Sequence, residues 1–140
     1  MYLIFDTETT GLPKNKTAPL TDFDNWPRVV QIAWQLHDNA GKLLSNENLI
    51  VKPDGFTIPF NAEKVHGIST QRALDEGLPL DEVLDRFTED INKADLIIGH
   101  NIIDFDVKVV GSEYLRISKE NVIASKEALD TQHASTEYCA

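Results

Sequence analysis

The sequence predicts an α/β domain in which helices pack on a mixed β-sheet. Three observations carry that reading. Residues 2–8 and 95–99 are short apolar runs far apart in the chain, each suited to a buried strand. Residues 28–52 hold two strand-like stretches around Asp38-Asn39-Ala40-Gly41-Lys42, a hairpin-type turn. Leu80, Leu84, Phe87 and Ile91, with Val83 alongside, recur at helical spacing. The order strand, antiparallel strands, helices, strand, helix is that of a mixed sheet with helices laid on it.

Taken in order, residues 2–8 form the first strand. Residues 11–27 read as a long polar loop holding Pro13, Pro19 and Pro27, and a loop of that length is either functional or mobile. Residues 28–37, with Val29, Val30, Ile32, Ala33 and Trp34, form the second strand, and residues 43–52 return as the third. Pro53-Asp54-Gly55 breaks the pattern. Short helices are expected at 61–65 and 70–76, on either side of His66-Gly67, and a longer one at 79–93. A strand at 95–99 follows, then a helix over 104–117 with Phe105, Val109, Tyr114 and Leu115 inward. In the tail the pattern predicts one short strand near Val122 and the start of a helix after Asp130.

Composition bounds the function. A chain of 140 residues is a single domain's worth, and 41% hydrophobic with 26% charged residues is ordinary for a globular protein. No run approaches the ~20 apolar residues of a membrane helix, and no secretory leader is evident. The single cysteine, Cys139, excludes an intrachain disulfide and fits a cytoplasmic location. A net charge of −10 argues against a protein that coats nucleic acid through a basic face. It leaves open an enzyme in which bound metal ions supply the positive charge.

The chemistry concentrates at two strand ends. Asp6 and Glu8 sit at i and i+2, which places both side chains on one face of the first strand. Two like charges held close together are costly unless a cation neutralises them, and oxygen-only ligands suit magnesium or manganese. Gly99-His100-Asn101 ends the later strand, and sites in such folds gather at strand ends. Thr9-Thr10-Gly11-Leu12 reads as a tight turn bringing backbone N–H groups near the acids. Trp26, Trp34 and Phe60 read as core or loop anchors, and the acids from Asp75 to Asp90 as the wet face of a helix. Lys14 and Lys16 are the best candidates for phosphate contacts, but plain solvated charge is the favoured reading of both.

Three segments together resemble one family. Phe5-Asp6-Thr7-Glu8-Thr9-Thr10-Gly11-Leu12 is similar to the first motif of the DEDD (DnaQ-like) 3′–5′ exonucleases. Glu63-Lys64-Val65-His66-Gly67-Ile68-Ser69 resembles a segment of the proofreading epsilon subunit of bacterial DNA polymerase III. Gly99-His100-Asn101 followed by Phe105-Asp106 is similar to the second exonuclease motif. The resemblance implies a ribonuclease H-like fold and hydrolysis of phosphodiester bonds at the 3′ end of single-stranded DNA, with RNA possible. It implies two Mg2+ or Mn2+ ions held by Asp6, Glu8 and Asp106, and a DNA polymerase as a possible partner. Thr7, Thr9 and Leu12 would line the terminal nucleotide, and His66, Asn101 and Phe105 the substrate channel.

Two departures accompany the resemblance. The family spaces its second motif His-Asn-x-x-Phe-Asp, whereas this chain is one residue longer between Asn101 and Phe105. Asp106 or Asp104 could therefore take the ligand role, the other serving as a helix cap or a solvated acid. The family also carries a third motif, a His or Tyr a few residues before a fourth carboxylate. Leu129-Asp130-Thr131 resembles the stretch leading to it, but no such pair follows, and His133 comes too early. Residues 1–140 are thus read as a single exonuclease-type domain that stops before its last helix. The alternative is a catalytically incomplete domain of the same fold that binds a nucleic-acid end or a partner, or an RNA-trimming relative.

Overall fold

A computed structural model of the chain describes residues 1–132. Its sheet is ordered β3-β2-β1-β4-β5, with β1 at Tyr2–Thr9, β2 at Val29–His37, β3 at Leu43–Ile50, β4 at Leu96–Gly99 and β5 at Glu127–Asp130. The pairs β1–β2 and β2–β3 are antiparallel, and β1–β4 and β4–β5 are parallel. Alternation decides which face is covered. Leu3, Phe5 and Thr7 point inward opposite Leu36, Trp34 and Ile32, while Ile4, Asp6 and Gln35 are exposed on the other face.

The inward face is covered by α3 (Leu80–Ile91) and α4 (Val107–Arg116). Val83, Leu84, Phe87 and Ile91 bury the predicted stripe of α3, and the Phe87 ring meets the edge of Trp34 at 5.2 Å between centroids. The Trp34 indole N–H donates to Asp90 at 2.8 Å, so the last acid of the acidic run serves the core while its neighbours stay wet. A smaller cluster of Val30, Ile58, Ile68 and Ala73 seats α1 (Phe60–His66) and α2 (Thr70–Glu76). Helix α1 ends at Gly67, whose φ of 76° lies in the left-handed region that favours glycine. Helix α2 starts at Ser69, whose hydroxyl accepts the Arg72 N–H at 3.0 Å.

Three expectations are corrected. The tail strand lies at Glu127–Asp130, and Val122–Ser125 form a 3-10 turn that buries Ile123. The strand escapes the sequence because its pairing with β4, not its own composition, makes it a strand. The helix expected from residue 104 begins earlier, as a π-helical turn over Ile102–Asp106 that runs into α4. Phe60 is no anchor: it is 72% exposed, with the Lys64 ammonium over its ring, whereas Trp26 and Trp34 are buried as expected. Thr131 and Gln132 are helical, where a helix was expected to start, and residues 133–140, with His133 and Cys139, lie outside the described residues.

The loop over residues 11–27 is tied down. Asn15 and Asn25 exchange hydrogen bonds, the Trp26 indole donates to the Pro19 carbonyl, and Ser112 on α4 donates to the Leu20 carbonyl. Arg116 donates to the carbonyls of Phe23 and Trp26. Among the described residues no helix is long and apolar enough to cross a membrane.

Candidate active site

The ends of β1 and β4 meet because β4 closes on β1 through a glycine. A Cβ at Gly99 would lie 2.8 Å from the Phe5 carbonyl oxygen and would collide with the Ile102 side chain. Only glycine lets the chain turn here so close to β1. Asn101 then takes a left-handed conformation, φ 58°, and leads into the π-turn. A π-turn holds one residue more than an α-turn over the same rise. The extra residue between Asn101 and Phe105 is absorbed there, and the outcome separates the two acids. Asp106 is 4% exposed and accepts a hydrogen bond from the Thr7 hydroxyl, while Asp104 is exposed.

The environment of Asp106 is perturbed. Burial first of all, with the nearby Asp6 charge adding to it, pushes its carboxyl up to about 6. Hydrogen bonds from the Thr7 hydroxyl and from the backbone of Thr7 and Asp106 act in the opposite direction without cancelling the effect. No basic side chain figures among the groups that shift it. An acid perturbed by burial beside a second acid at a strand end is the kind of group that marks functional sites.

A cavity of about 330 Å³ opens beside this point, lined by Thr7, Glu8, Thr9, Thr10, Gly11, Leu12, Asn61, Ala62, Val65, His66 and Phe105. It falls in the ~300–1,000 Å³ range of small-ligand pockets. Two of its walls are apolar and open to water, Leu12 and Val65 each being 82% exposed. The Thr9 hydroxyl donates to the Gly11 carbonyl at 2.9 Å and shapes the turn after the acids. His66 accepts the Ile68 N–H on Nδ1 at 3.1 Å, which leaves Nε2 as the donor, buried and without a hydrogen-bond partner.

Of the residues singled out from sequence, Thr7, Glu8, Thr9, Leu12, His66 and Phe105 share this cavity. Asp6 stands on the open sheet face next to it, near enough to act on Asp106. Asn101 shapes the turn, its backbone N–H donating to Asp130 at 2.9 Å. Asn61, Ala62 and Val65 were not singled out. The helical repeat gives the signal that could have found them, since 61, 62, 65 and 66 share one side of α1. Lys14 lies along the neighbouring groove with Phe23, Phe56 and Arg28.

A larger cavity of about 770 Å³ holds Arg28, Lys52 and Arg116 but lies apart from the acids. Its arginines are committed to the fold. Glu113, 0% exposed, takes Arg28 at 2.8 Å and Arg116 at 2.9 Å. Burial pushes the Glu113 carboxyl up, while the two arginines pull it back.

The donor chemistry fits a hard divalent cation. Asp6, Glu8 and Asp106 offer carboxylate oxygens alone, and a cation near Asp6 and Asp106 would relieve their mutual repulsion. The fit is incomplete as it stands: among the described residues, no three His, Cys, Asp or Glu side chains are grouped closely enough to hold a metal ion. Asp106 meets β1 at Thr7, on the covered face, whereas Asp6 projects from the opposite face.

A family model described as Exonuclease, RNase_T, matches residues 3–139. The chain belongs to the exonuclease family. Solved structures agree with this chain in fold. The chain superposes on E. coli Exonuclease I in complex with a dT13 oligonucleotide with a TM-score of 0.80 at 21% identity, covering 99% of this chain and 29% of that one. The zinc-bound form of the E. coli ExoI–ssDNA complex gives 0.80 at 22% identity over 99% and 29%. The metal-free form gives 0.77 at 22% identity over 96% and 28%. At these identities the likeness is one of fold, the ribonuclease H-like exonuclease fold of the DEDD type, and the chain spans less than a third of the length of the structures it matches. No curated protein sequence matches the chain significantly.

Proposed function

We propose that this exonuclease-family chain forms a single exonuclease-type unit that removes nucleotides from the 3′ end of single-stranded DNA by metal-dependent hydrolysis. The observation that carries the reading is the meeting of two strand ends. The buried carboxyl of Asp106 bonds Thr7, between Asp6 and Glu8, beside a nucleotide-sized cavity. Asp6, Glu8 and Asp106 would hold Mg2+ or Mn2+. When bound, such ions lower the pKa of an attacking water and stabilise charge on the scissile phosphate and the leaving oxygen.

The residues of the chain divide the remaining work. Leu12 and Val65 offer apolar walls to the terminal base and exclude water from it. His66 lines the pocket beside the terminal nucleotide, and the turn shaped by Thr9 lines it with Gly11 and Leu12. Thr7 holds Asp106 in place from the strand, and Phe105 closes the wall next to it. DNA is favoured over RNA because the structural relatives named above carry DNA. A polymerase partner and a proofreading role have no such support.

The test is degradation of a 5′-labelled single-stranded oligodeoxynucleotide with Mn2+. The chain should shorten it stepwise from the 3′ end, and Asp6→Ala should slow this by at least ~10³-fold. Equal shortening by both proteins would refute the assignment. A second reading is favoured by the absence of a three-ligand cluster among the described residues: a domain that binds a 3′ end without cutting it. Saturable binding of the oligonucleotide without shortening in Mn2+ would establish that reading instead.

A further inference from the structure

Asp130 is 3% exposed and does not line the cavity beside Asp106. It ends β5, directly opposite Gly99 in the parallel β4–β5 register. Its Oδ1 accepts the N–H groups of Asn101 at 2.9 Å and Gln132 at 3.0 Å, and its Oδ2 accepts the N–H of Ile103 at 3.1 Å. The next residue adds two contacts to the same turn: the Thr131 hydroxyl lies 3.1 Å from Nδ1 of His100 and 3.4 Å from the Gly99 carbonyl oxygen.

The first turn of any helix leaves N–H groups with no partner inside the helix. Here two N–H groups at the start of the π-turn end on a single carboxyl group from a neighbouring strand. The π-turn is the segment whose far end carries Asp106, and its extra residue makes its register depend on how it is held at the start. We propose that Asp130 is a positioning residue for the active site. Its carboxyl group locks the Asn101–Ile103 backbone to the end of β5 and so fixes Asp106 against Thr7. It also ties that turn to the Gln132 backbone just beyond β5. The catalytic meaning of this rests on the exonuclease reading; the geometric meaning does not.

The test is Asp130→Asn. The amide keeps an acceptor for Asn101 and Gln132 but turns a donor toward the Ile103 N–H. Two readouts are taken on the whole chain: the carboxyl 13C resonance of Asp106 without metal, and Mn2+ affinity by calorimetry. Ile91→Val, a core change on α3, serves as a control for loss of stability. D130N should displace the Asp106 resonance and weaken Mn2+ binding roughly 10-fold, the scale seen when partners of metal ligands are removed. I91V should do neither. An unmoved Asp106 resonance overturns the inference, as does an equal effect in I91V. If the wild-type chain binds no Mn2+ while D130N still displaces the resonance, the positioning stands and the hydrolase reading falls. Should D130N unfold, Asp130→Ser, which retains one small acceptor, is read in the same way.

Discussion

Replacing Asp106 by asparagine should make the metal-free chain more stable at neutral and alkaline pH. Asp106 is buried and pushed up from 3.8 to about 6, with burial as the main cause. Between those two values the folded chain keeps a proton that the unfolded chain has released. Stability therefore falls as pH rises from about 4 through about 6, and the loss is complete above that. At roughly 1.4 kcal/mol per pH unit, the gap corresponds to about 3 kcal/mol. Asparagine preserves the oxygen that accepts the Thr7 hydroxyl and removes the titration. In urea unfolding with EDTA at pH 8, Asp106→Asn should gain up to ~3 kcal/mol over wild type, with the two converging as pH approaches 4. Added Mn2+ should narrow or reverse the gap, since an ion that binds only the folded wild type stabilises it by mass action. A variant less stable than wild type at pH 8 in EDTA, or a gain that does not change with pH, would refute the reasoning.

Glu113→Ala should destabilise the chain by about 3–5 kcal/mol, because it strands Arg28 and Arg116 in a largely buried site; chemical denaturation measures this, and a loss below 1 kcal/mol would show the triad to be well solvated. Gly99→Ala forces a Cβ against the Phe5 carbonyl and the Ile102 side chain, and should cost about 1–3 kcal/mol and lower Mn2+ affinity with it. A melting temperature equal to wild type would contradict the close approach of β4 to β1. Leu12→Ala should leave stability within ~0.5 kcal/mol, since the side chain is exposed, while raising KM for oligonucleotide ends. Unchanged kinetics would remove Leu12 from the substrate pocket.

The parts of the fold that were legible are those whose signal is local. The stripe of α3, the hairpin turn and the apolar first strand each carry their own periodicity, and the structure has them within a few residues of the expected bounds. That Asp6 and Glu8 share one strand face was legible because a strand fixes the direction of its side chains. What escaped depends on partners distant in sequence. Glu113 reads as one more surface acid on a helix until Arg28, from the far side of the long loop, is seen beside it. The strand at Glu127–Asp130 exists only because β4 accepts it, and a π-turn has no composition of its own to announce it. Asp130 looked like part of an approach to a later motif, and nothing in its neighbours shows that it gathers three N–H groups.

The π-turn also determines which length changes this site can absorb. Removing one residue from Ile103 or Asp104 would turn five residues into the four of an ordinary α-turn. The helix beyond would keep its phase, so Val109, Tyr114 and Glu113 would still face their present neighbours. The change would be confined to the short path between Asn101 and Phe105. Chains of either length could thus present the same acid to the same strand. The turn works as a slack link that decouples the count of residues in the motif from the placement of its carboxylate.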